Sequence, residues 1–182
     1  MKTSLYILLL VVAFLNPAPT HAQEFKTSEG KVEFLSKASL NEFTGSSEKL
    51  NGLINLDKGL LDFYIDLNTL KTGIGLRDKH MRENYLETKE FPFAEFTGKI
   101  NEEIDLTTGQ SKEVTATGKF KIHGVEREIT VPGKLTAMNG NQLKLEAEFT
   151  VLLSDYNIEI PKVLFYELSE NQVVIINATL KN

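Results

Sequence analysis

Apolar side chains recur at every second position through much of this chain. From Leu61 to Leu67 they alternate with Asp, Tyr and Asn neighbours, and the same period recurs at 114–122, 128–135 and 143–151. Because successive side chains of a strand point to opposite faces, each segment is predicted to be a strand with one buried face. The last three segments are separated only by short turns, among them Asn139-Gly140, and they predict an antiparallel meander.

Four further strands are predicted at 32–34, 50–56, 94–100 and 173–180, which makes about eight in all. Antiparallel strands with one apolar face must form either two sheets packed face to face or one closed barrel, since a single open sheet would leave exposed edges. We favour an all-β fold, an eight-stranded antiparallel barrel. A two-sheet sandwich remains the alternative, because period two alone does not separate the two architectures.

The segment 72–93 interrupts the strand pattern. After Gly73 and Gly75, helix-forming residues run from Arg77 to Tyr85, and they predict one short helix across one end of the barrel. The segment 91–93 is Phe-Pro-Phe, which returns the chain to extended conformation, because a residue before proline is biased away from the helical region.

The first 22 residues have the pattern of a secretory signal peptide. Lys2 is followed by an apolar run at 5–15, by prolines and by small residues that suit cleavage after Ala22. The run is too short for a hydrocarbon core that needs about 20 residues. We therefore expect an exported protein whose single mature domain covers 23–182, without stable membrane insertion after the signal is removed.

Composition excludes several classes of function. The chain has 20 Lys and Arg against 25 Asp and Glu, a net charge of -5, which argues against binding of nucleic acid. It has no Cys, so disulfides, thiolate metal sites and cysteine nucleophiles are excluded. Metalloprotease, nucleophile-elbow and phosphate-loop motifs are absent as well. No catalytic residue, metal ligand or cofactor is predicted.

Small residues stand among bulky ones on the predicted inward face, at Ala94, Gly98, Ala116, Gly118 and Gly133. Either they leave room for a ligand or they mark bends in the barrel, and both interpretations stay open. If a cavity exists, its predicted lining is apolar and suits a long, narrow guest. The predicted lining residues are Phe34, Ile54, Leu61, Phe63, Ile65, Phe96, Gly118, Phe120, Ile129, Leu145 and Phe149.

Charged residues cluster in the predicted helix. Arg77, Asp78, His80 and Arg82 lie within six residues, where they are placed to meet a polar head group at the barrel mouth. A solvated helix face explains the same cluster equally well. His123, at the end of a strand, is interpreted as a solvated turn residue.

These motifs resemble those of the YceI-like family of polyisoprenoid-binding proteins, over essentially the whole mature chain. The resemblance is carried by Thr72-Gly73, Arg77-Asp78, His80 and Arg82, by Phe91-Pro92 with Phe96, and by the strand and turn at 118–125. It implies a lipocalin-like barrel, usually periplasmic or otherwise secreted, that carries a long isoprenoid chain and is not known as a catalyst. The helix residues match the family motif near the barrel opening.

One segment departs from the family pattern. Many relatives carry an Arg shortly before an Asp-aromatic-Gly turn, whereas residues 152–157 here are Leu-Leu-Ser-Asp-Tyr-Asn. Asn157 can adopt the positive φ that Gly would supply, so we expect the turn to persist. If the missing Arg contacts the head group in relatives, the head group bound here is neutral or different.

Three functions follow as hypotheses. The first is a carrier that sequesters a polyisoprenoid or isoprenoid quinone-like lipid, the only ligand expected. The second is a lipid-modifying enzyme using His80 with a nearby acid, and the third is a structural domain whose barrel is filled by side chains. Pairing of two chains in a homodimer is left open.

Overall fold

Eight antiparallel strands close into a barrel in which every strand pairs with its neighbours in the sequence and the last strand pairs with the first. A computed structural model describes residues 23–160 and 168–182; the predicted signal peptide, 1–22, lies outside the described residues. The strands are β1 (Glu24–Lys37), β2 (Glu42–Asn55), β3 (Leu60–Asp66), β4 (Phe93–Ile100), β5 (Ser111–Ile122), β6 (Val125–Met138), β7 (Gln142–Leu152) and β8 (Asn171–Lys181). The predicted barrel is confirmed, and the sandwich alternative is wrong.

Two strands are much longer than the sequence pattern predicted. β1 and β2 have 14 residues each. Their pairing shifts register between Thr27 and Gly30 and again between Gly30 and Val32. A β-bulge inserts a residue into one strand, so it breaks the strict alternation by which strands are recognised. The bulges hid the first half of β1 from the sequence analysis.

The helical segment crosses the end of the barrel at which β1, β3, β5 and β7 finish. Helix α1 (Gly75–His80) begins two residues before the predicted range, 77–85, and continues into a π-helical turn at Met81–Tyr85. The backbone N–H of Leu67 donates to the carbonyl oxygen of Pro92 at 2.8 Å, which brings both ends of the β3–β4 connection together. We call this the helix end of the barrel.

Short helical turns complete this end. A 3-10 turn covers Leu67–Thr69, and another covers Leu153–Tyr156 after β7. Asn157 follows with φ 57°, so it does adopt the left-handed conformation expected of it. No helix among the described residues has the length and hydropathy needed to cross a membrane.

The opposite end of the barrel is filled by its own side chains. Leu143 pairs with Leu180 across β7 and β8, and both are almost completely buried. Phe25, near the start of β1, is buried at the same end. Since apolar burial is the main favourable contribution to folding, this packed end stabilises the barrel.

Candidate functional site

An elongated cavity of about 490 Å³ lies inside the barrel. Its volume falls within the range typical of ligand pockets, about 300–1,000 Å³. Most of the predicted lining residues are brought together around it: Phe34, Ile54, Leu61, Phe63, Ile65, Phe96, Phe120, Leu145 and Phe149. The side chains that pack the opposite end, Leu143 and Leu180, do not line it. The cavity is therefore closed at that end.

Two glycines of β2 make room for the aromatic rings of the lining. A Cβ atom on Gly45 would lie 2.3 Å from the ring of Phe34, and one on Gly52 would lie 2.0 Å from the ring of Phe63. The rings occupy the space that side chains at these positions would fill. Gly45 lies outside the strand predicted at 50–56, beyond the bulged pairing of β1 with β2, whereas Gly52 could have been found from its alternation with Ile54.

Gly118 and Ile129, also predicted to line the cavity, do not. Gly118 pairs with Gly98, and a Cβ on Gly118 would lie 2.4 Å from the Gly98 Cα and from the Thr97 carbonyl oxygen. The absent side chain lets β4 and β5 approach each other closely and leaves no room for a ligand. Ile129 is partly buried and packs against the apolar core.

The cavity opens beside helix α1. Arg77 and His80 contribute to its lining, together with Ile74 and Leu76, which are 51% and 64% exposed. The guanidinium carbon of Arg77 lies 4.1 Å from the ring centroid of Phe43 in β2, a cation–π contact. This contact fixes α1 at the rim. The opening thus combines exposed apolar surface with a cation and an imidazole.

Asp78 and Arg82, the other two predicted mouth residues, do not line the cavity. Asp78 is buried, and its Oδ1 accepts hydrogen bonds from the Thr72 backbone N–H at 2.7 Å and from the Thr72 hydroxyl at 2.6 Å. Burial by itself would raise the pKa of Asp78, but these hydrogen bonds and the charges of Arg82 and Lys71 outweigh it and hold the pKa below its ordinary value. Asp78 anchors the loop before α1.

Replacing Asp78 with Asn is expected to destabilise the protein by about 1–2 kcal/mol at pH 7, because the bonds to Thr72 lose their charge-assisted character. The folded-state pKa is depressed, so this contribution is present above about pH 4 and disappears as the pH falls below it. Chemical denaturation of both proteins from pH 7 to pH 3 checks this. Glu83→Gln, in the exposed next turn, is the control and should change little. A deficit that persists unchanged at pH 3 would contradict the electrostatic account.

A model of the YceI-like domain matches residues 23–180. The chain belongs to the YceI-like family. No curated protein matches it.

Solved structures of YceI-like and related proteins share the barrel fold. A polyisoprenoid-binding domain from Saccharophagus degradans implicated in plant cell wall breakdown is 20% identical with a TM-score of 0.76, the match covering 88% of this chain and 98% of that one. BcnA of Burkholderia cenocepacia is 18% identical with a TM-score of 0.72 (84% and 96% covered). The YceI protein of Campylobacter jejuni is 20% identical with a TM-score of 0.61 (74% and 82% covered). At these identities the likeness shows the fold.

His123 lies in the turn that marks the YceI-like resemblance. It was expected to be solvated, but it is largely buried. Its side chain is only 10% exposed. Its Nε2 lies 2.8 Å from Glu87 Oε2 and its Nδ1 lies 3.1 Å from the carbonyl oxygen of Tyr156, while Phe91 packs edge-on against the ring. His123 therefore links its own β5–β6 turn to the β3–β4 connection and to the helical turn after β7. Sequence reasoning missed this role because all three partners are distant in the chain.

The YceI-like barrel offers no metal centre in the described ranges 23–160 and 168–182, where no group of three His, Cys, Asp or Glu side chains could hold an ion.

Gln172, at the start of β8, stands out as a buried amide in the cavity lining. The strand predicted from alternation begins at 173, so Gln172 falls just outside it.

Proposed function

We propose that this YceI-like protein is a non-catalytic carrier that encloses a long apolar lipid, a polyisoprenoid or an isoprenoid quinone-like molecule, inside its barrel. The observation that carries the proposal is the cavity itself, which is predominantly apolar, ends short of the packed side chains at one end of the barrel and opens beside α1. The Saccharophagus degradans domain that shares the fold is described as polyisoprenoid-binding, which supports the same class of ligand.

Apolar burial alone can hold such a guest. Each methylene transferred from water into the cavity contributes about 0.8 kcal/mol before the costs of association are subtracted. The lining follows the strands, and a ten-residue strand extends about 33 Å before tilt. A space of this form suits a chain better than a broad ring system, and it requires no charged contact along the tail.

We further propose that the polar end of the lipid lies at the mouth, near Arg77 and His80, which border the opening. Arg82 and Asp78 support this rim and do not contact the lipid: Asp78 is committed to Thr72, and Arg82 adds to the positive charge around Asp78. The predicted signal peptide at 1–22 supports export to the periplasm, or to the medium where no outer membrane exists.

Organic extraction of the purified mature protein, followed by mass spectrometry, tests the carrier function. We expect an isoprenoid lipid in near-stoichiometric amount, and uptake of an added isoprenoid by protein that has been emptied. Repeated recovery of an empty protein that refuses added isoprenoids would refute it. For a non-catalytic carrier, His80→Ala should leave the chemical form of the extracted lipid unchanged, whatever its amount, whereas accumulation of an unmodified precursor in that variant would favour an enzyme.

A further inference from the structure

Gln172 places an amide among the apolar residues of β8 that line the cavity. It is the second residue of β8, 7% exposed, and it lines the cavity together with Val174 and Ile176 of the same strand. It pairs with Ser36 of β1 on one side and with Val151 of β7 on the other. Since β1 and β7 finish close to these residues, Gln172 lies at the helix end, where the cavity opens.

The orientation of this amide is fixed by its neighbours. The Gln172 Nε2 donates to the carbonyl oxygen of Ser169 at 2.5 Å and to the hydroxyl oxygen of Ser36 at 3.2 Å. A carbonyl oxygen can only accept, so the atom facing Ser169 must be the nitrogen. The Ser36 oxygen also accepts from the Ser169 backbone N–H at 3.1 Å, which locks the arrangement. Because the amide group is planar, its oxygen faces away from Ser169 and Ser36.

That oxygen, Gln172 Oε1, is buried, and no group in the described part of the chain donates a hydrogen bond to it. A buried carbonyl without a donor costs more free energy than an ordinary hydrogen bond contributes, and such atoms are rare in folded proteins. An apolar residue would fill this position in the lining without that cost. The amide oxygen is therefore suited to accept a hydrogen bond from a molecule bound in the cavity.

We propose that Gln172 Oε1 accepts a hydrogen bond from a hydroxyl group of the bound lipid, so that the ligand is a neutral lipid alcohol, such as an isoprenol or a reduced quinone. This rests on the proposed carrier function and specifies its ligand class. A carboxylate presents no donor, and neither does a phosphate monoester in the doubly ionised form that dominates at pH 7. The charge of either group would lie against the oxygen and the apolar residues beside it. Burial of such a charge is costly.

Equilibrium dialysis of emptied protein with farnesol, farnesyl methyl ether and farnesyl phosphate tests the inference. The ether keeps the tail and the oxygen but lacks the donor. We expect farnesol to bind about tenfold more tightly than the ether, the effect of one net hydrogen bond. Gln172→Met should abolish this preference while leaving the affinity for the ether nearly unchanged. Ile176→Met, a matched change at another lining position of β8, should retain the preference.

The possible outcomes separate the inference from the carrier function. Equal binding of farnesol and the ether by the unaltered protein would overturn the inference and leave the carrier function standing, and this comparison needs no variant to fold. Tightest binding of farnesyl phosphate would overturn it in favour of an anionic head group at the mouth. A preference for farnesol that survives in folded Gln172→Met would also overturn it. Failure of all three ligands to bind would refute the carrier function and the inference together.

Discussion

Replacing Ala147 with Phe is expected to deplete the lipid that co-purifies with the protein by at least tenfold. Ala147 lines the cavity between Leu145 and Phe149 on β7. A phenyl ring there occupies space that the tail would use. Each methylene excluded from the cavity loses about 0.8 kcal/mol, and 1.4 kcal/mol is a factor of ten in affinity, so excluding two methylenes is sufficient. Quantitative lipid extraction per mole of folded protein measures the effect.

The adjacent residue provides a matched control. Glu148 is exposed on the outer face of the same strand, so Glu148→Phe adds the same ring outside the barrel and should leave lipid content unchanged. If the ring at Ala147 prevents folding, Ala147→Leu gives a smaller obstruction and a graded loss of lipid. Full lipid content in a folded Ala147→Phe protein would place the ligand outside the barrel.

The fold was largely predictable because the strands carry a strict period of two. β3, β5, β6 and β7 each bury one face, and a face can be assigned from alternation alone. Closure followed from the need to avoid unpaired edges. The bulged first half of β1 was not predictable in this way, because a bulge shifts the alternation without any residue type that marks it unambiguously.

The site was predictable to the extent that it depends on which face of a strand points inward. That reasoning found the aromatic lining, whereas Arg77 and His80 were predicted from the charged cluster of the helix. It could not distinguish a glycine that opens space from one that brings two strands together, as Gly118 does, because the difference depends on the register with β4. Gln172 could have been found by extending the alternation of β8 back from Val174.

Replacing Gly118 with Ala is expected to lower stability by about 3 kcal/mol, the upper part of the range for overpacking substitutions. The new Cβ would lie 2.4 Å from two backbone atoms of β4, and backbone in the middle of a closed barrel cannot rotate away as a flexible side chain can. For a domain of this size the midpoint of thermal unfolding should fall by roughly 6–12 °C. Calorimetry or circular dichroism on purified protein measures it.

Gly75→Ala is the control, since no atom lies within 4 Å of a Cβ built there and the residue begins α1, where Ala is a better helix former. It should leave the unfolding midpoint unchanged or raise it slightly. Equal stability of Gly118→Ala and Gly75→Ala would mean that β4 and β5 can separate at Gly98 without cost. In that case the Gly98–Gly118 pair would not determine the distance between β4 and β5. The lack of a side chain at Gly118 would then again be consistent with room for a ligand inside the barrel.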